Sequence, residues 1–188
     1  AVSFAETVRL VDYYPLPLNG HWLYQGLDWD GFPAKSVRRV DARTTLLTLY
    51  TVRNPATSYT TNVISEYNSY VDSTTLVPYD EWTSYMAAGS SFGYFGDSGA
   101  GDIQLDRGGI LPEFMAVGDS ITNVADAYIA GTFVGTVSFI FQVLEHTALT
   151  VPAGTFPEVL RVRIATVTPG EAGAHDEWWA KSVGSIKE

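Results

Sequence analysis

Val151-Pro152-Ala153-Gly154-Thr155-Phe156 decides the fold, together with the alternating Val159 to Val167 that follows it. Proline has no N–H to give to a ladder and stands where a strand must end, and glycine takes the positive φ of a tight connection. In Val159 to Val167, Leu160, Val162 and Ile164 point one way, Arg161 and Arg163 the other. That is the signature of a strand with one buried and one solvated face. The long apolar run before the turn, Phe133 to Glu145, places Phe133, Val137, Phe139, Phe141 and Val143 in a mixed pattern. It predicts a central strand, buried on both faces for part of its length and paired with its successor as an antiparallel hairpin. Further on, Asp176-Glu177-Trp178-Trp179 and Val183-Gly184-Ser185-Ile186-Lys187 complete the C-terminal block. Asp12 to Tyr24, D-Y-Y-P-L-P-L-N-G-H-W-L-Y, repeats the grammar of prolines, a small-residue turn and a strand. Two such ends describe a β-domain closed from its termini.

Working outward, period-two alternation dominates. His21 to Trp29 and Thr45 to Arg53 alternate broadly, and Asn62 to Asp72 sets Ile64, Glu66, Asn68 and Tyr70 against Val63, Ser65, Tyr67, Ser69 and Val71. Helical evidence is confined to Asp80 to Ala88, where acids precede an apolar stretch and Gly89 offers a stop. Gly89 to Gly109 is rich in Gly, Ser and Asp and reads as a long loop. The expected fold is all-β over one domain, residues 1–188: a curved antiparallel sheet forming an open or half-closed barrel, with one or two short helices at most. Residues 1–11 form its strand-like N-terminal arm.

The 188 residues carry 11 basic and 21 acidic side chains, a net charge of −10, with 46% hydrophobic residues. No basic stripe exists to hold nucleic acid or an anionic membrane surface. The absence of cysteine removes disulfides, iron–sulfur clusters and thiolate zinc sites. The longest apolar run, Thr132 to Leu144, is interrupted by Gly135, Thr136, Ser138 and Gln142, so no membrane-spanning helix is expected. Ala1 opening directly onto Val2-Ser3-Phe4 fits a mature N-terminus after removal of a signal peptide.

Few residues suggest chemistry. Gly118-Asp119-Ser120-Ile121 resembles the nucleophile block of G-D-S-type esterases, with Ser120 attacking an ester and a downstream His taking its proton. That block normally opens an α/β chain and is matched by a later D-x-x-H; here half the chain precedes it and the later pair is His175-Asp176. Gly96-Asp97-Ser98-Gly99 matches the protease tetrapeptide, yet the upstream His21 stands among Gly20, Trp22 and Tyr24, and a glycine-rich turn explains Ser98. Asp97, Asp102 and Asp106 offer oxygens to a hard cation such as Ca2+, without the ordered spacing of an EF-hand; a solvated acidic loop accounts for them as well. His21, His146 and His175 are too scattered for a metal site, and His175-Asp176-Glu177 reads as a charged turn before the Trp178-Trp179 strand. Asp28 and Asp30 around Trp29, and Asp80-Glu81 before Trp82, set acids beside aromatics as in sugar-binding clefts. Core or barrel-mouth aromatics fit the same pattern.

Tyr13, Pro15, Leu16, Gly20, Trp22 and Tyr24 at one end, and Val151 to Phe156, Trp178 and Val183 to Lys187 at the other, resemble the bracketing motifs of bacterial exported β-domains of unknown function. These are similar in fold to lipoprotein-carrier half-barrels. Ser120-Ile121 and Lys181-Ser182-Val183-Gly184 depart from that pattern. The resemblance implies an exported protein, periplasmic, surface-bound or extracellular. The first functional expectation is a non-catalytic structural or interaction module, a surface or filament subunit that donates the arm Ala1 to Val11 to a neighbour's sheet edge. Its partners would be copies of itself or neighbouring strands. The second is a carrier of lipophilic ligands in the concave sheet, lined by Trp22, Tyr24, Phe139, Phe141 and Trp179. The third is the ester hydrolase at Ser120.

Overall fold

The predicted hairpin is present, and the whole sheet is built by repeating it. A computed structural model of the chain describes residues 6–27, 32–50, 58–75, 77–87, 89–98, 103–168 and 171–188. Val151 and Gly154 pair across Pro152 and Ala153, and Gly154 has φ +141°. The strands it joins are the longest consecutive pair of the C-terminal half, β10 (Thr132–Val151) and β11 (Gly154–Thr168). Leu160 and Val162 are fully buried, while the neighbouring Arg161 and Arg163 hold Asp176 on the outer face, Arg163 Nε at 2.7 Å.

The remaining elements in chain order are β1 (Thr7–Arg9), α1 (Leu10–Tyr13), β2 (His21–Leu27), β3 (Pro33–Tyr50), β4 (Ser58–Asp72), β5 (Pro78–Ala87), β6 (Gly93–Ser98), β7 (Gln104–Ile110), β8 (Phe114–Ala116), β9 (Ser120–Ile129), β12 (Glu171–Ala180) and β13 (Gly184–Lys187). Eleven strands form one antiparallel sheet in the order β13-β12-β11-β10-β9-β7-β6-β5-β4-β3-β2. It is a meander interrupted once, where β8 leaves it to pair with β1. The sheet curls into a nearly closed barrel, as the period-two pattern predicts. Its two edge strands meet through side chains: the Trp22 indole N–H donates to the Val183 carbonyl at 2.7 Å, and Tyr24 Oη to the Ser185 carbonyl at 2.9 Å.

Three expectations are corrected. Asp80 to Ala87 is not helical, and Ala88 lies outside the described residues; Pro78–Ala87 is β5, paired with β4 from Val63↔Ala87 to Val71↔Pro78. Its inward set of Trp82, Ser84 and Met86 is too mixed to show alternation, and sheet pairing overrides the local preference. Residues 89–109 are not one long loop, since they hold β6 and β7. The glycines there serve close backbone approach: Gly96 has φ +118°, and a Cβ on it would sit 1.9 Å from the Ile103 carbonyl oxygen. The arm is strand-like at Thr7–Arg9, but it pairs with β8 of its own chain. Val8 is buried and Leu10 fully so; donating the arm to a neighbour would break the pairing and expose both.

The arm and α1 plug one end of the barrel. Val8, Leu10, Tyr13 and Tyr14 join Met115, Leu111, Phe141, Leu160 and Trp179 in the main core, with Tyr14 edge-on to Trp179 at 4.9 Å between centroids. Register shifts near Val40 and Thr45 bend the long β3–β4 hairpin, whose far half packs Leu47, Leu49 and Val63 on Tyr85 and Phe95. Tyr85 alternates with Ser84 and Met86, so this second cluster lies outside the barrel wall.

Nothing crowds a Cβ at Gly154, so the cost of replacing it is backbone strain alone. Gly154→Val is expected to lower stability by roughly 1–3 kcal/mol. Ser120→Ala, on an exposed residue, is expected to change it by less than about 1 kcal/mol. Thermal melts compare them directly, and a wild-type melting temperature for Gly154→Val would contradict the turn's role.

Candidate functional site

An eleven-stranded sheet is wider than the roughly eight strands whose inward side chains can fill a barrel. The excess width appears as a cavity of about 660 Å³ open to solvent. Phe92, Leu105, Leu111, Phe139, Phe141 and Trp179 make much of its apolar lining. Phe92 and Phe141 pack on Trp179 with centroids 5.1 and 5.4 Å away, and the Trp179 indole N–H donates to Glu177 at 2.8 Å. Tyr14, held by the plug, contributes from the closed end.

One wall is polar. Arg38 on β3 donates to Tyr14 Oη at 2.8 Å and pairs with Glu188 beyond β13. Burial opposes the guanidinium charge, but Tyr14, Glu188 and Glu177 around it outweigh that and hold its pKa above the ordinary value. His175 is drawn upward by its hydrogen bond to Glu177, 3.2 Å away. Burial works against Glu177 as an anion, but bonds from His175 and Trp179 and the charge of Arg38 keep it low. A second chain of hydrogen bonds runs Asn68 to Ser84 at 3.1 Å and Ser84 to Asp97 at 2.7 Å, with Tyr94 Oη on the other oxygen of Asp97.

Glu66 on β4 stands apart. It is 3% exposed and lines the cavity, and its carboxyl makes no hydrogen bond or ion pair among the described residues. Burial pushes its pKa up to about 7, with Arg38 pulling the other way and Glu177, Glu188 and Asp97 adding to the rise. Asn123 Nδ2 is a further buried lining atom without a partner among the described residues.

Of the aromatics read as ligand-binding, Phe139, Phe141 and Trp179 line the cavity, whereas Trp22 and Tyr24 stand at the seam between the edge strands. Ser120 opens β9 opposite Gln142 and is exposed. His146 lies four residues beyond Gln142 on β10, about 13 Å along a strand, and is engaged by Tyr13 and Glu6. His175-Asp176-Glu177 is not a turn but the middle of β12. Ser98 ends β6 at the cavity. Asp97 faces the cavity, while Asp106 alternates with the inward Leu105 and accepts from the Asp126 N–H at 2.9 Å, so the two carboxylates lie on opposite faces of the sheet. Asp102 lies outside the described residues, as do Asp28, Trp29 and Asp30. Among the described residues no group of three or more His, Asp or Glu side chains converges as metal ligands do. Arg38 and Glu188 were not singled out from sequence, Glu177 was read only as part of a charged turn, and Glu66 only as sharing a face with Ile64.

No known family profile matches the chain, and no curated protein matches it. A crystal structure from Bacteroides fragilis, of a protein whose export is inferred and whose fold is described as YmcC-like, resembles it with TM-score 0.50 and 15% identity. The likeness covers 93% of this chain and 88% of that one. At this identity it shows the fold.

The folded pKa of Glu66 exceeds its ordinary 4.5, so its ionisation costs stability as pH rises between 4.5 and about 7. Glu66→Gln is expected to stabilise the fold by about 3 kcal/mol near pH 8 and by almost nothing near pH 4. Urea unfolding across that range measures it, and a pH-independent difference would show that Glu66 ionises normally.

Proposed function

We propose that this is an exported, non-catalytic binding protein that carries an apolar ligand inside its barrel. The observation that supports it is the cavity: about 660 Å³, walled by phenylalanine, leucine and tryptophan, within the range of small-molecule sites. A barrel needing only structural stability would gain by filling that space, because an unfilled interior forfeits packing. Export is supported by the inferred export of the Bacteroides fragilis protein that shares the fold. The non-catalytic reading is supported by the setting of Ser120, which faces Gln142, with His146 out of hydrogen-bond reach along the strand and His175 three strands away, since Gln142 pairs with Arg163 and Arg163 with Asp176.

Uptake of the neutral dye N-phenyl-1-naphthylamine tests the reading, with Kd expected in the micromolar range, about −8 kcal/mol. Gly109→Leu puts a side chain beside Phe139, where the glycine leaves ordinary contact distance, and is expected to cut dye affinity about tenfold by filling the cavity. Native mass spectrometry of gently purified protein should show bound apolar mass. A protein that takes up no dye and carries no bound mass is not a carrier.

A further inference from the structure

We infer that the ligand is a cationic amphiphile, an apolar chain bearing an amine, whose head group is received by Glu66. This rests on the carrier reading and specifies what the cavity accepts.

The inference follows from the charges on the cavity wall. Arg38 is matched by Glu188 in a direct ion pair, and Glu177 by His175. Asp97 is satisfied by Ser84 and Tyr94. What remains is Glu66, nine-tenths buried and more, lining the cavity without a hydrogen bond or ion pair among the described residues. Burying a carboxyl without a partner is costly, and groups so placed are paired when their site is complete. The chain's own neighbours do not complete it: Asn68 donates to the Glu66 backbone carbonyl at 3.1 Å and to Ser84, not to the carboxyl. A donor must therefore come from the cavity.

Its charge follows from the surroundings. The charged groups acting on Glu66 are Arg38 from β3, Glu177 from β12, Glu188 beyond β13 and Asp97 from β6, and His175 of β12, paired with Glu177, lines the same wall, three acids against two bases. Asp80 and Glu81 of β5 also line the opening. An anionic head group would meet this field unfavourably, and a neutral hydroxyl would satisfy the hydrogen bond but not the charge. An ammonium satisfies both, in the charge-assisted bond that is the stronger kind. Behind Glu66, Met86 and the Phe92, Phe139 and Phe141 rings offer the apolar body its space.

The test uses three probes with the same alkyl chain: dodecylamine, dodecanol and dodecanoate, each displacing N-phenyl-1-naphthylamine from the full chain. At about pH 8.5 dodecylamine is expected to bind about tenfold tighter than dodecanol, with dodecanoate weakest. Glu66→Gln, which keeps the shape and removes the charge, is expected to abolish the amine preference while dodecanol affinity stays within about twofold. In the wild type the preference is expected to shrink at about pH 5.5, where Glu66 is protonated. An amine preference that survives in Glu66→Gln, or none in the wild type while the dye still binds, overturns the assignment of Glu66 and leaves the carrier reading standing. Failure of the dye and all three probes to bind overturns both.

Discussion

Everything in this molecule depends on how the two edges of the sheet are brought together. A wide antiparallel sheet left open would present unpaired backbone groups along β2 and β13, which invites association with other chains. Among the described residues the edges are joined without a main-chain ladder. Trp22 and Tyr24 project from β2 and donate to the carbonyls of Val183 and Ser185, while Arg38 reaches Glu188 from the next strand. Gly184, at φ +105°, lies so that a Cβ would meet the Trp22 indole at 3.5 Å, so the turn and the ring fit closely. Such a seam closes the barrel with a few directional contacts and leaves the interior wider than full pairing would require.

The seam and the site share parts. Arg38 belongs to both, tying Glu188 at the edge and Tyr14 of the plug. Trp179 is fully buried between the plug and the cavity, and its strand β12 carries Glu177 and His175 into the polar wall. The N-terminal segment closes one end, and the seam closes the side. The cavity exists where these two closures meet the curvature of β4 to β11. Its acids are therefore set by long-range geometry, with residues as far apart as Arg38 and Glu188 in direct contact.

That geometry explains what could be read in advance. Val159 to Val167 and the turn at Gly154 were legible because strand alternation and turn chemistry are local. The closure from both termini was legible too, since the proline-rich approach to Trp22 and the Val183-Gly184 turn are the residues that meet. The strands β5, β6 and β7 were not, because their glycines and mixed polarity imitate loop and helix; only pairing with neighbours makes them strands. Glu66 was placed on the right face with Ile64 and Asn68, but alternation says which residues share a face and not which face is buried. Ser120 and Asp106 carried the louder motifs and lie outside the cavity lining.

The unsatisfied carboxyl is the point at which stability and binding pull apart. Leucine or glutamine at position 66 would suit a closed interior better, since a buried acid without a partner is a liability in the empty barrel. Sequences that break a local rule usually do so where a function is served. The surrounding polar groups are arranged to satisfy one another, Arg38 with Glu188, His175 with Glu177, Tyr94 and Ser84 with Asp97. Among the described residues they leave the Glu66 carboxyl without a hydrogen bond at the polar wall of an apolar chamber. On the proposed reading, a ligand that supplied the missing donor would regain the cost of that burial as binding free energy, and the residue that weakens the empty fold would strengthen the loaded one.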